Sequence, residues 1–300
     1  MEEFLQHVIN GLSLGAIYAL IALGYTMVYG ILQFINFAHS DIYMVGAFAA
    51  YYGAKFLGFE NQQGIAPFLI LSILVMIVCA LVGFTIEKLA YKPLRKAPKL
   101  NILITAIGVS LFLEYAGQII FGADPKLFPT LLPDTVLFSI GPIQVMILDF
   151  MILFVSLIMM IGLRYFVFKT KMGKAMRAVS QNPTVASMMG VNIDRVISFT
   201  FIIGSSLAGV AAILVGMRYP KIEPLMGMLM GTKAFVAAVL GGIGSLPGAI
   251  VGGMIMGMSE EMVVGYLAST YKDALSFGIL IFILVFKPAG ILGSTKIEKV

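Results

Sequence analysis

The sequence predicts an all-α polytopic membrane protein with about eight membrane segments, and two observations lead to this fold class. The first is composition: 60% of the 300 residues are hydrophobic, 12% are charged, and the mean hydropathy is +1.00. Such a chain cannot form a water-soluble globule. The second is charge placement, because eleven of the 20 Lys and Arg residues cluster in two stretches, as in cytoplasmic loops. They are Lys88, Lys92, Arg95, Lys96, Lys99, Arg164, Lys169, Lys171, Lys174, Arg177 and Arg195.

The first segment, residues 8–30, is long enough to span a bilayer. Gly11, Gly15 and Ala19 repeat every four residues, so they share one helix face that we expect to pack closely against another helix. The N-terminus lacks a positive region and a cleavage site, so we expect this span to be retained. If each early segment crosses once, the N-terminus lies outside.

The second segment, residues 34–58, begins with polar groups, among them Asn36, His39 and Asp41. Two interpretations of these side chains stay open. Either they are interfacial and hydrated, or they line a pathway through the membrane.

The middle of the chain continues with spans at 67–87, 101–121 and 145–163. The basic loop 88–99 between the first two is expected to be cytoplasmic, and the loop 122–144 external. A carboxylate at mid-membrane costs on the order of 3 kcal/mol, so Glu114 is expected to face a partner, a cavity or the outer interface, and its place past the midpoint of its span favours the interface.

Residues 164–195 form the longest polar, basic interruption and are predicted to fold as two short helices on the cytoplasmic side. In the first, Met172, Ala175, Met176 and Val179 form a stripe suited to lie on the membrane. In the second, Asn182 is a good N-cap, Pro183 suits the first helical position, and Gly190 can end the helix. This region is either a docking element for another protein or a connector touching anionic lipid.

The last third carries a span at 196–216, a short external loop at 218–230 and an unusual stretch at 231–268. There a half-length helix meets a glycine-rich break containing Gly241, Gly242, Gly244 and Pro247, followed by a full helix. Such a break indicates a broken or re-entrant helix whose backbone groups need new partners. Glu260 and Glu261 are expected to be hydrated at the outer end. The final span, 271–288, directs the C-terminus with Lys296 and Lys299 to the cytoplasm.

Several chemistries are excluded. The sequence contains no G-x-x-x-x-G-K-[ST], G-x-G-x-x-G, H-E-x-x-H or G-x-S-x-G pattern. The single cysteine, Cys79, and two distant histidines, His7 and His39, argue against a Cys- or His-based metal site. We therefore expect no catalytic residue, cofactor or metal, and the basic charge indicates membrane topology, not nucleic-acid binding.

Five stretches, in order and at matching spacing, resemble one known family: the LivH-type permease subunit of branched-chain amino acid ABC importers. They cover the chain from its first span to its last residues. They are Asn10-Gly11-Leu12-Ser13-Leu14-Gly15-Ala16-Ile17-Tyr18-Ala19-Leu20, Ile35-Asn36-Phe37-Ala38-His39, Met172-Gly173-Lys174-Ala175-Met176-Arg177-Ala178, Ala238-Val239-Leu240-Gly241-Gly242-Ile243-Gly244-Ser245-Leu246-Pro247-Gly248 and Pro288-Ala289-Gly290-Ile291-Leu292-Gly293.

The resemblance implies a single transmembrane permease domain, residues 1–300, in a prokaryotic inner membrane, with a cytoplasmic coupling region at 164–195. The implied partners are a second, LivM-like permease, two P-loop ATPase subunits and an external binding protein that delivers leucine, isoleucine or valine. ATP hydrolysis is expected in the partner, so this chain is not itself an enzyme.

The resemblance also implies site residues. The importer signature E-A-A-x-x-x-G falls at Thr184, Val185, Ala186 and Gly190, where only Ala186 and Gly190 match. The expected ATPase-coupling residues are Gly173, Lys174, Arg177, Asn182, Pro183, Ala186, Met188, Met189 and Gly190. The expected borders of the translocation path are Asn36, His39, Asp41, Gly241, Gly242, Gly244 and Pro247.

Two other function classes remain open. An ion-coupled secondary transporter or channel would use Glu114, His39 and Asp41, and its uptake would follow an ion gradient without an ATPase. A membrane-embedded enzyme would place His39 and Asp41 at its site, although the sequence shows no catalytic constellation around them.

Overall fold

A computed structural model describes residues 2–95, 97–141 and 143–293, and 77% of the structure is helical. Lys96 of the basic loop and the C-terminal Lys296 and Lys299 lie outside the described residues. The helices are α1 Glu2–Leu32, α2 His39–Phe56, α3 Ile65–Ile86, α4 Lys99–Phe121, α5 Ile147–Lys169, α6 Lys171–Gln181, α7 Pro183–Met188, α8 Ile193–Arg218, α9 Met226–Gly241, α10 Leu246–Tyr266 and α11 Lys272–Phe286.

Each predicted membrane segment contains a helix, which confirms the polytopic all-α fold. Within the described residues, six helical stretches are long and apolar enough to cross a membrane: Glu2–Leu32, Ile65–Leu94, Lys99–Phe121, Ile147–Lys169, Ile193–Arg218 and Ser269–Phe286. The unusual stretch at 231–268 contains two helices, as predicted. They are α9 with 16 residues, about 24 Å long, and α10 with 21 residues.

The bundle is organised around α1 and α8. In the most apolar 18-residue stretch of each helix, 83% of the residues of α1 and 72% of those of α8 are buried. In the stretch that contains α11 the share is only 11%. The peripheral helices α3, α4, α5 and α11 therefore turn large apolar side chains outward. This distribution suits a protein surrounded by lipid, where an outward-facing Leu or Phe carries no penalty.

The predicted small-residue face of α1 packs against α10. A Cβ added at Gly15 would lie 2.8 Å from the Met254 Cα, and one added at Gly253 would lie 2.6 Å from the Ala19 Cα. Since real Cβ atoms do not approach so closely, glycine is required on both sides of the contact. The prediction of close helix packing from Gly11, Gly15 and Ala19 is confirmed.

The predicted helix break lies between α9 and α10. Gly242 and Gly244 adopt φ values of 107° and 93°, which L side chains rarely take, so the break depends on glycine. The freed carbonyls find partners in the segment that follows α11: the Ile291 N–H donates to the Leu240 oxygen at 2.8 Å and the Leu292 N–H to the Gly241 oxygen at 2.9 Å. The C-terminal segment thus satisfies the backbone at the break.

The two ends of the bundle differ. At one, which we name the basic end, the Lys92 Nζ lies 2.8 Å from Asp194 Oδ2, so the basic loop adjoins the start of α8. The other end carries two short antiparallel sheets. β1 (Lys126–Leu127) pairs with β4 (Lys221–Ile222), and β2 (Val136–Ile140) pairs with β3 (Ile143–Met146).

Candidate functional site

The coupling region begins at a tight junction between α5 and α6. Thr170 caps α6, since its Oγ1 accepts the Gly173 N–H at 3.0 Å. Gly173 is buried, and a Cβ there would collide with the carbonyl oxygens of Phe166 and Val167. Glycine at this position therefore allows α6 to turn back onto the end of α5.

The apolar stripe of α6 does not lie on the membrane, and that expectation is wrong. Met176 and Val179 are 3% and 1% exposed, because α6 packs against α1, α5 and α8. Met172 and Ala175 are half-buried beside them, so most of the stripe packs against protein and is removed from water there. Lys174 stays exposed on the opposite face, and the Arg177 guanidinium lies 5.1 Å from the centre of the Phe168 ring.

The second short helix, α7, forms where the capping pattern predicts it. Asn182 ends α6 and caps α7, because its Oδ1 accepts the Val185 N–H at 3.1 Å, and Pro183 takes the first helical position. Gly190 has a φ of 81° and ends the helix, as predicted. The Val191 N–H then donates to the Ala186 oxygen at 3.0 Å, so α7 is tied to the segment that enters α8.

The side chains of α7 divide into an inner and an outer set. Ala186 is 4% exposed and packs against the chain itself. Met188 and Met189 are 81% and 80% exposed at the helix tip. Asn182, Pro183 and Gly190 are exposed beside them. Helix α7 therefore presents an exposed apolar tip at the basic end, and its buried Ala186 packs against the rest of the chain.

The polar residues that begin the second segment are all buried. Asn36, His39 and Asp41 are 2%, 1% and 0% exposed, so they are not hydrated at an interface in this structure. The His39 imidazole packs directly on Gly24 of α1 and edge-on to the Tyr25 ring, with centroids 4.8 Å apart. Glu114 of α4 is also buried, at 7% exposed.

Three polar atoms in this stretch are buried without a hydrogen-bond partner among the described residues: Asn36 Nδ2, His39 Nε2 and Asp41 Oδ1. The great majority of buried polar groups in proteins are paired. Three such unpaired atoms lie within six residues, so this stretch has the most unsatisfied hydrogen-bonding groups of the predicted path. The arrangement is therefore able to gain hydrogen bonds when the site is hydrated or meets a polar solute.

The break residues form the other predicted part of the path. Gly241 and Gly242 are buried, whereas Gly244 and Pro247 are exposed. Helix α9 connects the two parts: Gly227 and Gly231 in its first half pack on Ser40 of α2, and its last residue, Gly241, opens the break. The polar residues that begin α2 therefore lie beside the first half of α9, and the glycine break lies at the end of α9.

The break also adjoins the coupling region. A cavity of about 90 Å³ is lined by Met176 and Arg177 of α6, by Gly30 of α1, and by Gly244 and Leu246 of the break. The end of α1, the amphipathic helix and the glycine break thus surround one small space at the basic end.

Sequence reasoning missed a buried charge cluster. Glu260 is 4% exposed, so the expectation of a hydrated position is wrong. Its carboxylate pairs with the Lys233 Nζ at 2.6 Å and accepts the Tyr18 hydroxyl at 2.7 Å. A lysine within the apolar run of α9 was a signal, since ionisable residues inside membrane segments usually face a partner.

A second missed cluster lies at the basic end. The carboxylate of Glu87 is fully buried and pairs with the Arg95 guanidinium, which also pairs with Asp194. The Ser198 hydroxyl donates to the second Glu87 oxygen at 2.7 Å. In the described part of the chain, no group of three or more His, Cys, Asp or Glu side chains is arranged to hold a metal ion.

Comparison with known proteins identifies relatives over almost the whole chain. A family model described as "Branched-chain amino acid transport system / permease component" matches residues 7–284. The chain is 42% identical over 303 residues to the high-affinity branched-chain amino acid transport system permease protein BraD of Pseudomonas aeruginosa, covering 99% of this chain and 98% of BraD.

Two further relatives extend the comparison. The chain is 40% identical over 306 residues to the high-affinity branched-chain amino acid transport system permease protein LivH of Escherichia coli K12, covering 99% of this chain and 98% of that protein. It is 34% identical over 292 residues to a probable branched-chain amino acid transport permease protein LivH of Methanocaldococcus jannaschii, covering 91% and 88%. No solved structure matches the chain significantly.

Proposed function

Because this chain belongs to the family of branched-chain amino acid transport system permeases, we propose that it is the membrane subunit of an ATP-driven importer for leucine, isoleucine and valine. In this proposal residues 1–300 form one permease domain in a prokaryotic inner membrane, and the chain pairs with a second, related permease. Two P-loop ATPase subunits supply the energy, and an external binding protein delivers the substrate. The basic end is cytoplasmic.

The observation that carries the proposal is the exposed tip of α7. Met188 and Met189 present two large, flexible apolar side chains to water beside the basic helix α6. Two adjacent exposed methionines at the basic end offer a flexible apolar surface that adapts well to a groove on a partner. We assign Met188, Met189 and Gly190 to the ATPase contact, and Lys174 and Arg177 to its basic flank.

Other residues of the coupling region support the contact from within the chain. Asn182 and Pro183 fix the start of α7 and the buried Ala186 packs beneath it, while Gly173 allows α6 to pack on the end of α5. Movement of the ATPase then shifts α7 as a unit. Coupling requires only that the ATPase bind the two states of the permease with different free energies.

We place the substrate path beside Asn36, His39 and Asp41, whose orphaned polar atoms gain partners when the path is hydrated. The break with Gly241, Gly242, Gly244 and Pro247 acts as its flexible cytoplasmic border. Selectivity can reside in the external binding protein, so the path itself need not bind the substrate tightly.

The test is purification of the tagged permease with its ATPase and second permease, co-expressed from the same organism. The double variant Met188→Ser, Met189→Ser should lose the ATPase while keeping the second permease. The control is Met228→Ser, which replaces one 66% exposed methionine at the start of α9, at the end of the bundle away from α7. The control should recover the ATPase normally.

A stronger variant replaces residues 183–190 by a Gly/Ser linker. Retention of the ATPase by this variant would contradict the proposal. Reconstituted uptake that follows an ion gradient and needs no ATPase would assign the chain to the ion-coupled secondary transporters instead.

A further inference from the structure

Between α3 and α4 the chain leaves the α-helical geometry in an unusual way. Residues Glu87–Tyr91 form a π-helical turn, followed by a 3₁₀ turn at Lys92–Leu94. Isolated π turns are rare and often occur at functional sites, because the extra residue redirects the side chains that follow. Both ends of this turn, Glu87 and Tyr91, are buried, at 0% and 1% exposed.

The first end of the turn is tied to the start of α8. Arg95 binds Glu87 through one guanidinium nitrogen and Asp194 through the other, and its side chain is only 17% exposed. The Ser198 hydroxyl donates a hydrogen bond to the other Glu87 oxygen. Arg95 thus links Asp194 to Glu87 through two charge-assisted hydrogen bonds, one from each terminal nitrogen of its guanidinium group.

Asp194 in turn lies only a few residues after α7 in the sequence. It lies four residues after Gly190, in the first turn of α8. The Val191 N–H donates to the Ala186 oxygen of α7, and Asn192 caps α8 by accepting the Arg195 N–H at 3.0 Å. A displacement of α7 is therefore transferred to the residue that Arg95 holds.

The other end of the turn reaches the proposed substrate path. The Tyr91 hydroxyl donates to Asn36 Oδ1 at 2.6 Å. The Tyr91 ring packs between Phe34 and Phe201, with centroid distances of 5.2 Å and 5.5 Å, so it has little freedom to rotate away. Asn36 lies in the segment that joins α1 to α2, ahead of His39 and Asp41.

We propose that Arg95 and Tyr91 are positioning residues that transmit displacement of α7, through the π-helical turn, to the Asn36 segment. This inference deepens the proposed function and rests on it. The Arg95–Glu87 and Tyr91–Asn36 contacts are the buried links of this path, and Arg95 connects them to α8 through Asp194, whose side chain is 53% exposed. The Lys92–Asp194 pair is about half exposed on both sides and contributes little.

The experiment uses the complete reconstituted complex and measures substrate imported per ATP hydrolysed. Tyr91→Phe removes one hydroxyl and keeps the ring. We expect it to preserve assembly and ATP hydrolysis and to lower the import-to-hydrolysis ratio by about fivefold or more, which is typical of a broken coupling contact. The matched control is Tyr43→Phe, which deletes an equally buried hydroxyl without a partner among the described residues. It should keep the wild-type ratio.

Arg95 is tested in parallel. Arg95→Gln should lower the same ratio, and Arg95→Lys, which retains the charge, should restore part of it. Lys55→Gln, at an exposed lysine near the end of α2, is the control. For Tyr91, a double-mutant cycle with Asn36→Ala should show that the second substitution adds little to the first, because both remove the same hydrogen bond.

Two results would overturn the inference. One is a wild-type ratio in Tyr91→Phe. The other is a parallel loss of uptake and hydrolysis in both Tyr91→Phe and Arg95→Lys, which would indicate a purely structural role. Failure of the wild-type complex to couple uptake to ATP would instead overturn the proposed function, so the two failures are distinguishable.

Discussion

The ammonium group of Lys233 lies 2.6 Å from Glu260 Oε1 inside the helix bundle, where the two side chains are 4% and 6% exposed. This pair joins α9 to α10 across the hairpin that contains the glycine break. Tyr18 of α1 donates to the second Glu260 oxygen, and Asp273 of α11 lies 2.8 Å from the same ammonium group. One charge cluster therefore connects four helices, buried at Lys233 and Glu260 and 40% exposed at Asp273.

Removing one partner of this pair should destabilise the protein strongly. Lys233→Met leaves the Glu260 carboxylate buried without its cation, and loss of one partner of a buried ion pair typically costs about 3–5 kcal/mol. The double variant Lys233→Met, Glu260→Leu removes both charges and should recover most of the loss. The measurement is the monodisperse fraction in size-exclusion chromatography after heating in detergent. Equal stability of wild type and Lys233→Met would show that the pair does not hold the hairpin.

The contact between α1 and α10 should not tolerate a side chain at Gly253. A Cβ there would lie 2.6 Å from the Ala19 Cα, so Gly253→Val forces the two backbones apart. We expect a loss of about 1–3 kcal/mol, as in other overpacked cores. Gly278→Val on α11, where a Cβ meets nothing within 4 Å, is the matched control and should behave as wild type in the same heating assay. Similar losses in the two variants would contradict the packing described here.

The C-terminal segment should be needed for the helix break. Ile291→Pro removes the N–H that donates to the Leu240 oxygen at 2.8 Å, and an unsatisfied buried carbonyl costs about 1–3 kcal/mol. Ile291→Val keeps the N–H and serves as the control. Thermal stability and uptake are both measured, and we expect only the proline variant to lose them. An unimpaired proline variant would mean that the break obtains its partners elsewhere.

The N-cap of α7 should affect ATPase binding without affecting the fold. Asn182→Ala removes the acceptor for the Val185 N–H, which is worth about 1 kcal/mol of helix stability. Because the ATPase is proposed to bind the formed helix, its affinity should fall by about fivefold. Asn182→Ser keeps a capping oxygen and should bind nearly as tightly as wild type. Titration of the ATPase against the reconstituted permease measures the affinity of each variant. Equal affinities of the alanine variant and the wild type would show that α7 is not part of the ATPase contact.

The sequence by itself determined the features that depend on neighbouring residues. The Asn182 cap, the Pro183 start and the Gly190 end of α7 follow from backbone preferences within one or two turns, and the structure shows all three. The break near Gly242 is predictable for the same reason. The span positions follow from apolar runs longer than a bilayer requires. The small-residue face of α1 is equally local, since it needs only the helical repeat.

Only the tertiary structure decided which surfaces and charges meet. The α6 stripe has the same periodicity whether it rests on lipid or on protein, and its burial depends on α1, α5 and α8. Lys233 and Glu260 are 27 residues apart, Tyr91 and Asn36 are 55 apart, and Arg95 and Asp194 are 99 apart. No local preference encodes such pairs, because their energy arises from desolvation and close contact that exist only once the helices have packed.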